Sequence, residues 1–146
     1  DSIVTGYDKI TGYDLATAPL FSDKLDFSGT AAVGTLATQN DFGTITSSNV
    51  ATAGIATFDD AAGFATALIV NSTNLADVVG YLNANTAVED TMAFLFDSTG
   101  NGVGDSTMVY HNETGATDTI VLLSGQTGVN TLITANAHTA ADAFIL

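Results

Sequence analysis

Asp97, Thr99 and Asn101 stand at alternate positions, Gly102 follows at the sixth, and Asp105 supplies a carboxylate at the ninth. Hard oxygen donors at alternate positions, with a glycine where the chain must bend sharply, match what a calcium ion needs. A full twelve-residue calcium loop ends in a bidentate Glu, whereas position twelve here is Met108. The match is therefore partial, and a polar hairpin loop without metal is the competing reading. A second group of carboxylates, Asp8, Asp14, Asp23 and Asp26, lies near the amino end, with Asp23 and Asp26 as the better candidates for another cation site. Its plain alternative is a solvated acidic face.

The elements that must carry the first loop are two apolar runs. Thr91–Phe96 and Thr107–Tyr110 flank it and predict a strand, a turn and a returning strand. Asp118–Leu123 is a third strand, whose unbroken apolar run predicts burial on both faces. Before them, Asn74 and Asp77 open a segment in which Leu75, Val78, Val79 and Leu82 form one apolar stripe, which predicts a helix. Asp59-Asp60 followed by Ala61, Phe64, Ala65 and Leu68 predicts another helical turn. Shorter β-type runs fall at 32–36, 43–46 and 55–58, with Ser47-Ser48-Asn49 as a break. Leu25 and Phe27 alternate with polar neighbours as one face of a short strand.

The expected fold is mainly β with one or two short helices, β-roll-like or a β-sandwich, with an antiparallel meander covered by a helix. Residues 1–146 are read as one domain: 1–58 β-rich, 59–85 helical, 91–125 the meander and 126–146 a tail.

Charge narrows the function. Two basic residues against 16 acidic ones give −14, and 14 of the acids are Asp. Nucleic acid and anionic membrane surfaces demand the opposite sign. Short Asp side chains suit turns, so the charge belongs in loops, where multivalent cations are the natural partners. With no cysteine, disulfides and thiolate chemistry are excluded. No apolar run is long enough to span a membrane. The chain opens without an initiator Met or a positively charged leader, which suggests a fragment of a longer protein.

Catalytic patterns are weak. His111 and His138 are the only histidines, with no metal-ligand spacing, no nucleophile elbow and no phosphate loop around them. Carboxylate pairs such as Asp97/Asp105 leave a small secreted glycan hydrolase as a remote reading.

The run Asp23-Lys24-Leu25-Asp26-Phe27-Ser28-Gly29 resembles the strand that follows calcium-binding repeats in RTX proteins. The stretch from Leu75 to Gly125, with Ala93-Phe94-Leu95-Phe96, Met108-Val109-Tyr110 and Asp118-Thr119-Ile120-Val121, resembles the carboxy-terminal region of RTX exoproteins and bacterial surface-layer proteins. The ending Asp142-Ala143-Phe144-Ile145-Leu146 is similar to the acid-plus-apolar terminus of uncleaved type I secretion signals. The diagnostic glycine-rich nonapeptide is absent, which places any calcium-binding roll upstream. The resemblance implies a non-catalytic carboxy-terminal domain, secreted or held at the bacterial cell surface. It implies calcium and the type I secretion apparatus as partners, and a role in export and surface assembly. The competing reading is a metal-independent structural or adhesive module that self-associates.

Overall fold

The computed structural model describes residues 6–15, 23–27, 32–36, 39–52, 54–113, 118–133 and 142–145. The expectations placed on Ser28, Gly29, the 114–116 turn, His138 and Leu146 lie outside these residues. The chain is mainly β, with one short helix among the described residues.

Its centre is β7 (Asp90–Asp97), in sequence the expected first arm of the meander. It pairs antiparallel with β8 (Ser106–His111), and β8 pairs antiparallel with β9 (Thr119–Ser124). The alternation of these strands explains their placement. Met92, Phe94, Phe96, Met108, Tyr110, Ile120 and Leu122 share one face, while Ala93, Val109, Val121 and Leu123 share the other. Both sets are buried, so a continuous apolar run is what such strands need.

The other edge of β7 is shared among three short parallel strands. β3 (Ala32–Val33) meets Asp90 and Thr91, β5 (Ile55–Asp59) meets Ala93, and β6 (Val70–Asn71) meets Phe96 and Asp97. Beyond β5 lies β4 (Ser47–Thr52), and on the far side β1 (Asp8–Thr11) runs parallel to β9. The sheet order is thus β1-β9-β8-β7-β5-β4, with β3 and β6 joined to β7.

The first face is covered by α1 (Leu75–Asn85), which buries Leu75, Val78, Val79, Tyr81 and Leu82. Asn74 occupies the N-cap position, but its side chain does not cap. Its Oδ1 accepts the Asn71 N–H at 2.8 Å instead, tying the helix start to β6. The second face is covered by a small parallel sheet in the order β10-β11-β2: β10 (Thr131–Ile133), β11 (Asp142–Ile145) and β2 (Lys24–Leu25). Tyr13, Leu25, Phe27, Leu132 and Ile145 fill the space beneath it.

Two expectations are corrected. Residues 59–68 are not helical, so the helical part of 59–85 begins only at Leu75. Asp59 ends β5, and its carboxylate accepts the N–H groups of Ala61, Ala65 and Thr66, which folds the segment into a loop. A helix there would also have needed Phe64 buried, and it is 36% exposed. Ser47–Asn49, expected as a break, is strand β4, because the turn lies earlier, in the Phe42–Ile45 bridge. The Asp77 carboxylate accepts both the N–H and the hydroxyl of Thr44, which clasps that turn to the helix.

Candidate functional site

The loop between β7 and β8 begins at Asp97, whose side chain is 2% exposed. Its Oδ1 accepts the N–H groups of Thr99 (3.2 Å), Gly100 (2.7 Å) and Asn101 (3.2 Å) and the Thr99 hydroxyl (3.2 Å). Oδ2 accepts the Gly102 N–H at 2.7 Å. Gly100 and Gly102 have φ of 74° and 85°, and these left-handed values turn successive N–H groups inward to one anion. Burial pushes the Asp97 carboxyl up, but the N–H groups of Gly102, Gly100 and Asn101 outweigh it and hold the pKa below the usual value.

Asp105 closes the loop one cross-strand step away, its N–H donating to the Phe96 carbonyl at 3.0 Å. Its Oδ1 accepts the Ser98 N–H (3.1 Å) and the Ser106 hydroxyl (2.9 Å). The Ser98 hydroxyl and N–H, helped by the hydroxyls of Ser106 and Thr99, outweigh burial and hold its pKa at about 2. Its Oδ2 is closed to solvent and no donor completes a hydrogen bond to it. Asn101 is engaged elsewhere, its Oδ1 accepting the Val103 N–H at 2.9 Å.

The structure therefore brings Asp97, Thr99 and Asp105 together, and it assigns them unequal parts. Asp97 Oδ1 is committed to the loop's own donors. The lone pairs left for a cation are those of Asp97 Oδ2 and, above all, the orphaned Asp105 Oδ2. Calcium takes six to eight oxygen ligands, so a cation at this loop would need hydroxyl, backbone or water oxygens beyond these two carboxylates. Among the described residues no cluster of three or more His, Asp or Glu side chains is arranged to hold a metal.

The amino-terminal acids separate into two places. Asp23 Oδ2 accepts the Asp14 N–H at 2.8 Å, and the Tyr13 hydroxyl donates to the Asp23 carbonyl at 2.9 Å. Asp8 and Asp26 line a cleft together with Lys9 and Lys24. At the other end, Asp142–Ile145 forms β11, the middle strand of the small sheet, with Ile145 fully buried.

Sequence reading left His111 without a companion. In the fold it is hydrogen-bonded through Nδ1 to Thr91 Oγ1 at 2.9 Å, and its Nε2 lies 3.7 Å from Glu89 Oε2. Glu89 is the one described non-glycine residue with positive φ, at 69°. The signal was available in the strand pairing, since residues 91 and 111 are cross-strand partners. A hydroxyl, an imidazole and a carboxylate in series resemble a nucleophile relay. Thr91 and His111 are both 0% exposed, however, and the Phe27 ring covers the imidazole, so no substrate reaches the hydroxyl in this conformation.

One apolar notch of about 210 Å³ opens where β7 changes partner from β5 to β6, lined by Phe58, Leu68, Val70, Phe94 and Leu95. It offers no titratable side chain. No helix among the described residues is long and apolar enough to cross a membrane. No family model, no characterised protein and no solved structure matches the chain.

Proposed function

We propose that the chain is a non-catalytic structural domain of a secreted or surface-held bacterial protein of RTX or surface-layer type, in which the Asp97–Asp105 loop takes calcium. The observation that carries the calcium assignment is the buried Asp105 Oδ2 with no hydrogen-bond donor, beside the nearly buried Asp97. A carboxylate oxygen closed off from water without a partner is costly, and a cation is its natural complement. Both carboxyls are held below their usual pKa, so protons do not compete with a cation near neutral pH. Calcium at this loop would supply charge neutralisation and binding free energy that adds to folding.

Export fits the same reading. With the resemblance-bearing end folded as β11 inside the small sheet, a chain passing through a type I apparatus must present residues 142–146 before that sheet forms. The −14 charge opposes compaction while calcium is scarce. Millimolar calcium outside the cell relieves that opposition.

The test is calorimetric titration of the chelator-treated chain with calcium, with the melting temperature recorded at each end. Millimolar-range binding that raises the melting temperature and vanishes in Asp105→Asn supports the assignment. Absence of heat and of a melting shift would favour the metal-independent structural or adhesive module. A specific observation favours that reading: Asp97 Oδ1 closes the loop with the chain's own donors, three N–H groups and the Thr99 hydroxyl.

A further inference from the structure

Asn101 is the one asparagine of the chain that a glycine follows. Both residues are exposed, and a Cβ placed on Gly102 would meet nothing within 4 Å, so water reaches the peptide bond between them. An Asn-Gly pair carries a latent reaction, because no side chain at the second residue shields the backbone nitrogen from the asparagine amide. Every other asparagine precedes a residue with a side chain.

Two contacts of the loop act on this reaction in opposite directions. Asn101 Oδ1 accepts the Val103 N–H at 2.9 Å, which folds the side chain back along its own backbone. The ring so closed contains the Gly102 nitrogen, so the amide carbon and that nitrogen stay neighbours. The same Val103 N–H is placed to take the negative charge that the amide oxygen gathers when its carbon is attacked. Against this, the Gly102 N–H donates to Asp97 Oδ2 at 2.7 Å. The nitrogen must shed that proton before it attacks. A hydrogen bond to a carboxylate holds the proton on, and the carboxylate's charge opposes an anion forming at the nitrogen.

We propose that Asn101 is a site of spontaneous deamidation and that Asp97 sets its rate by holding the Gly102 N–H. In the reaction the Gly102 nitrogen bonds to Asn101 Cγ and the Cγ–Nδ2 bond breaks. The proton lost from the backbone leaves with the side-chain nitrogen as ammonia. Water then opens the five-membered imide at either carbonyl, leaving aspartate or isoaspartate at position 101. No electron is transferred, and water is the only other reactant. Either product adds a carboxylate to the loop that already holds Asp97 and Asp105. Isoaspartate also lengthens the backbone by one carbon, which displaces the Gly102 N–H from Asp97. That the added charge tightens cation binding rests on the calcium reading of this loop, whereas the deamidation itself does not.

The experiment keeps the full chain in mildly alkaline buffer with chelator and follows peptide masses and isoaspartate content over weeks. The native chain should convert slowly, and at Asn101 ahead of every other asparagine. Asp97→Ala should convert at least about tenfold faster, the lower end of what a hydrogen bond to a charged group is worth. Should that variant fail to fold, the urea-unfolded wild type frees the same N–H and should show the same acceleration over the native chain. A native chain that does not convert, one that converts as fast as the unfolded chain, or conversion spread evenly over the asparagines would overturn the proposal. Calorimetry with calcium on the converted chain, separated by its extra charge, tells the two ideas apart. Tighter binding than in the unconverted chain supports both. Absence of calcium binding in either form removes the calcium reading and leaves the conversion at Asn101 standing.

Discussion

The imidazole of His111 lies flat on the ring of Phe27, with centroids 4.6 Å apart and planes 15° from parallel. The two residues belong to different layers. His111 ends β8 in the large sheet, and Phe27 follows β2 of the small sheet, so their stack is a direct tie between the layers. Phe27 is 7% exposed and sits with Leu25, Val109, Val121 and Ile145 in the second core. Phe27→Ala should therefore cost about 3–5 kcal/mol, the usual range for removing a buried phenyl ring. Phe27→Leu, which keeps the apolar volume but loses the stack, should cost about 1.5 kcal/mol or less. Urea unfolding followed by circular dichroism measures both. A small loss in Phe27→Leu assigns the ring's contribution to apolar burial, whereas a loss as large as that of Phe27→Ala would assign it to the stack itself.

Acid should weaken the fold over a defined window. Asp59, held by the N–H groups of Ala65 and Thr66, and Asp105, held by the hydroxyl and N–H of Ser98, both have folded pKa values of about 2, and that of Asp97 is also lowered. A carboxyl whose folded pKa lies below its unfolded value stabilises the fold when ionised. That contribution is whole above the unfolded value near 3.8 and is lost as pH falls toward 2. Denaturation midpoints measured from pH 6 to pH 2 should stay level at first and then drop below about pH 4. Asp59→Asn and Asp105→Asn should each flatten that drop. An unchanged slope in both variants would show that other groups govern acid unfolding.

Gly43 tests the clasp between the Phe42–Ile45 turn and the helix. Its φ is 57°, and a Cβ placed on it would lie 2.2 Å from the Asp77 carboxylate that holds Thr44. Gly43→Ala should destabilise by about 2 kcal/mol, combining the left-handed backbone cost with displacement of Asp77. Gly128→Ala, where a Cβ meets nothing within 4 Å and φ is not positive, should be nearly neutral. Thermal melts of the two variants make the comparison.

What the sequence disclosed follows from where the forces are local. The β7–β8–β9 meander was readable because the strands are sequential neighbours and their apolar runs are long. The α1 stripe was readable for the same reason. Leu25 and Phe27 were correctly placed on a buried face, yet nothing nearby announces that β2 pairs with residues more than a hundred positions away in β11. Parallel pairings such as β1 with β9 leave no turn signature and stayed hidden. Residues 59–68 misled because helical spacing of apolar residues cannot reveal that the Asp59 carboxylate will collect three backbone N–H groups. At the candidate site, the spacing of Asp97 and Asp105 located the loop. It did not reveal that Asp97 would be consumed by the loop's own backbone while Asp105 kept an oxygen unpaired.

The last prediction concerns base. Tyr110 is fully buried in the first core and its hydroxyl donates to Asp118 Oδ2 at 3.0 Å. Burial, followed by the Asp118 charge and the hydrogen bond to it, pushes the phenol pKa well above its ordinary value of 10. A raised folded pKa contributes stability that is whole below the unfolded value and is lost as pH rises beyond it. Stability should therefore decline above about pH 10, where the unfolded chain ionises this phenol and the folded one does not. In an alkaline titration followed by tyrosinate absorbance, Tyr110 should ionise only in step with loss of far-ultraviolet circular dichroism. Asp118→Asn removes the charge while leaving an acceptor for the hydroxyl, so it should bring the Tyr110 ionisation to lower pH. If Tyr110→Phe leaves the alkaline unfolding midpoint unchanged, the decline above pH 10 belongs to other groups.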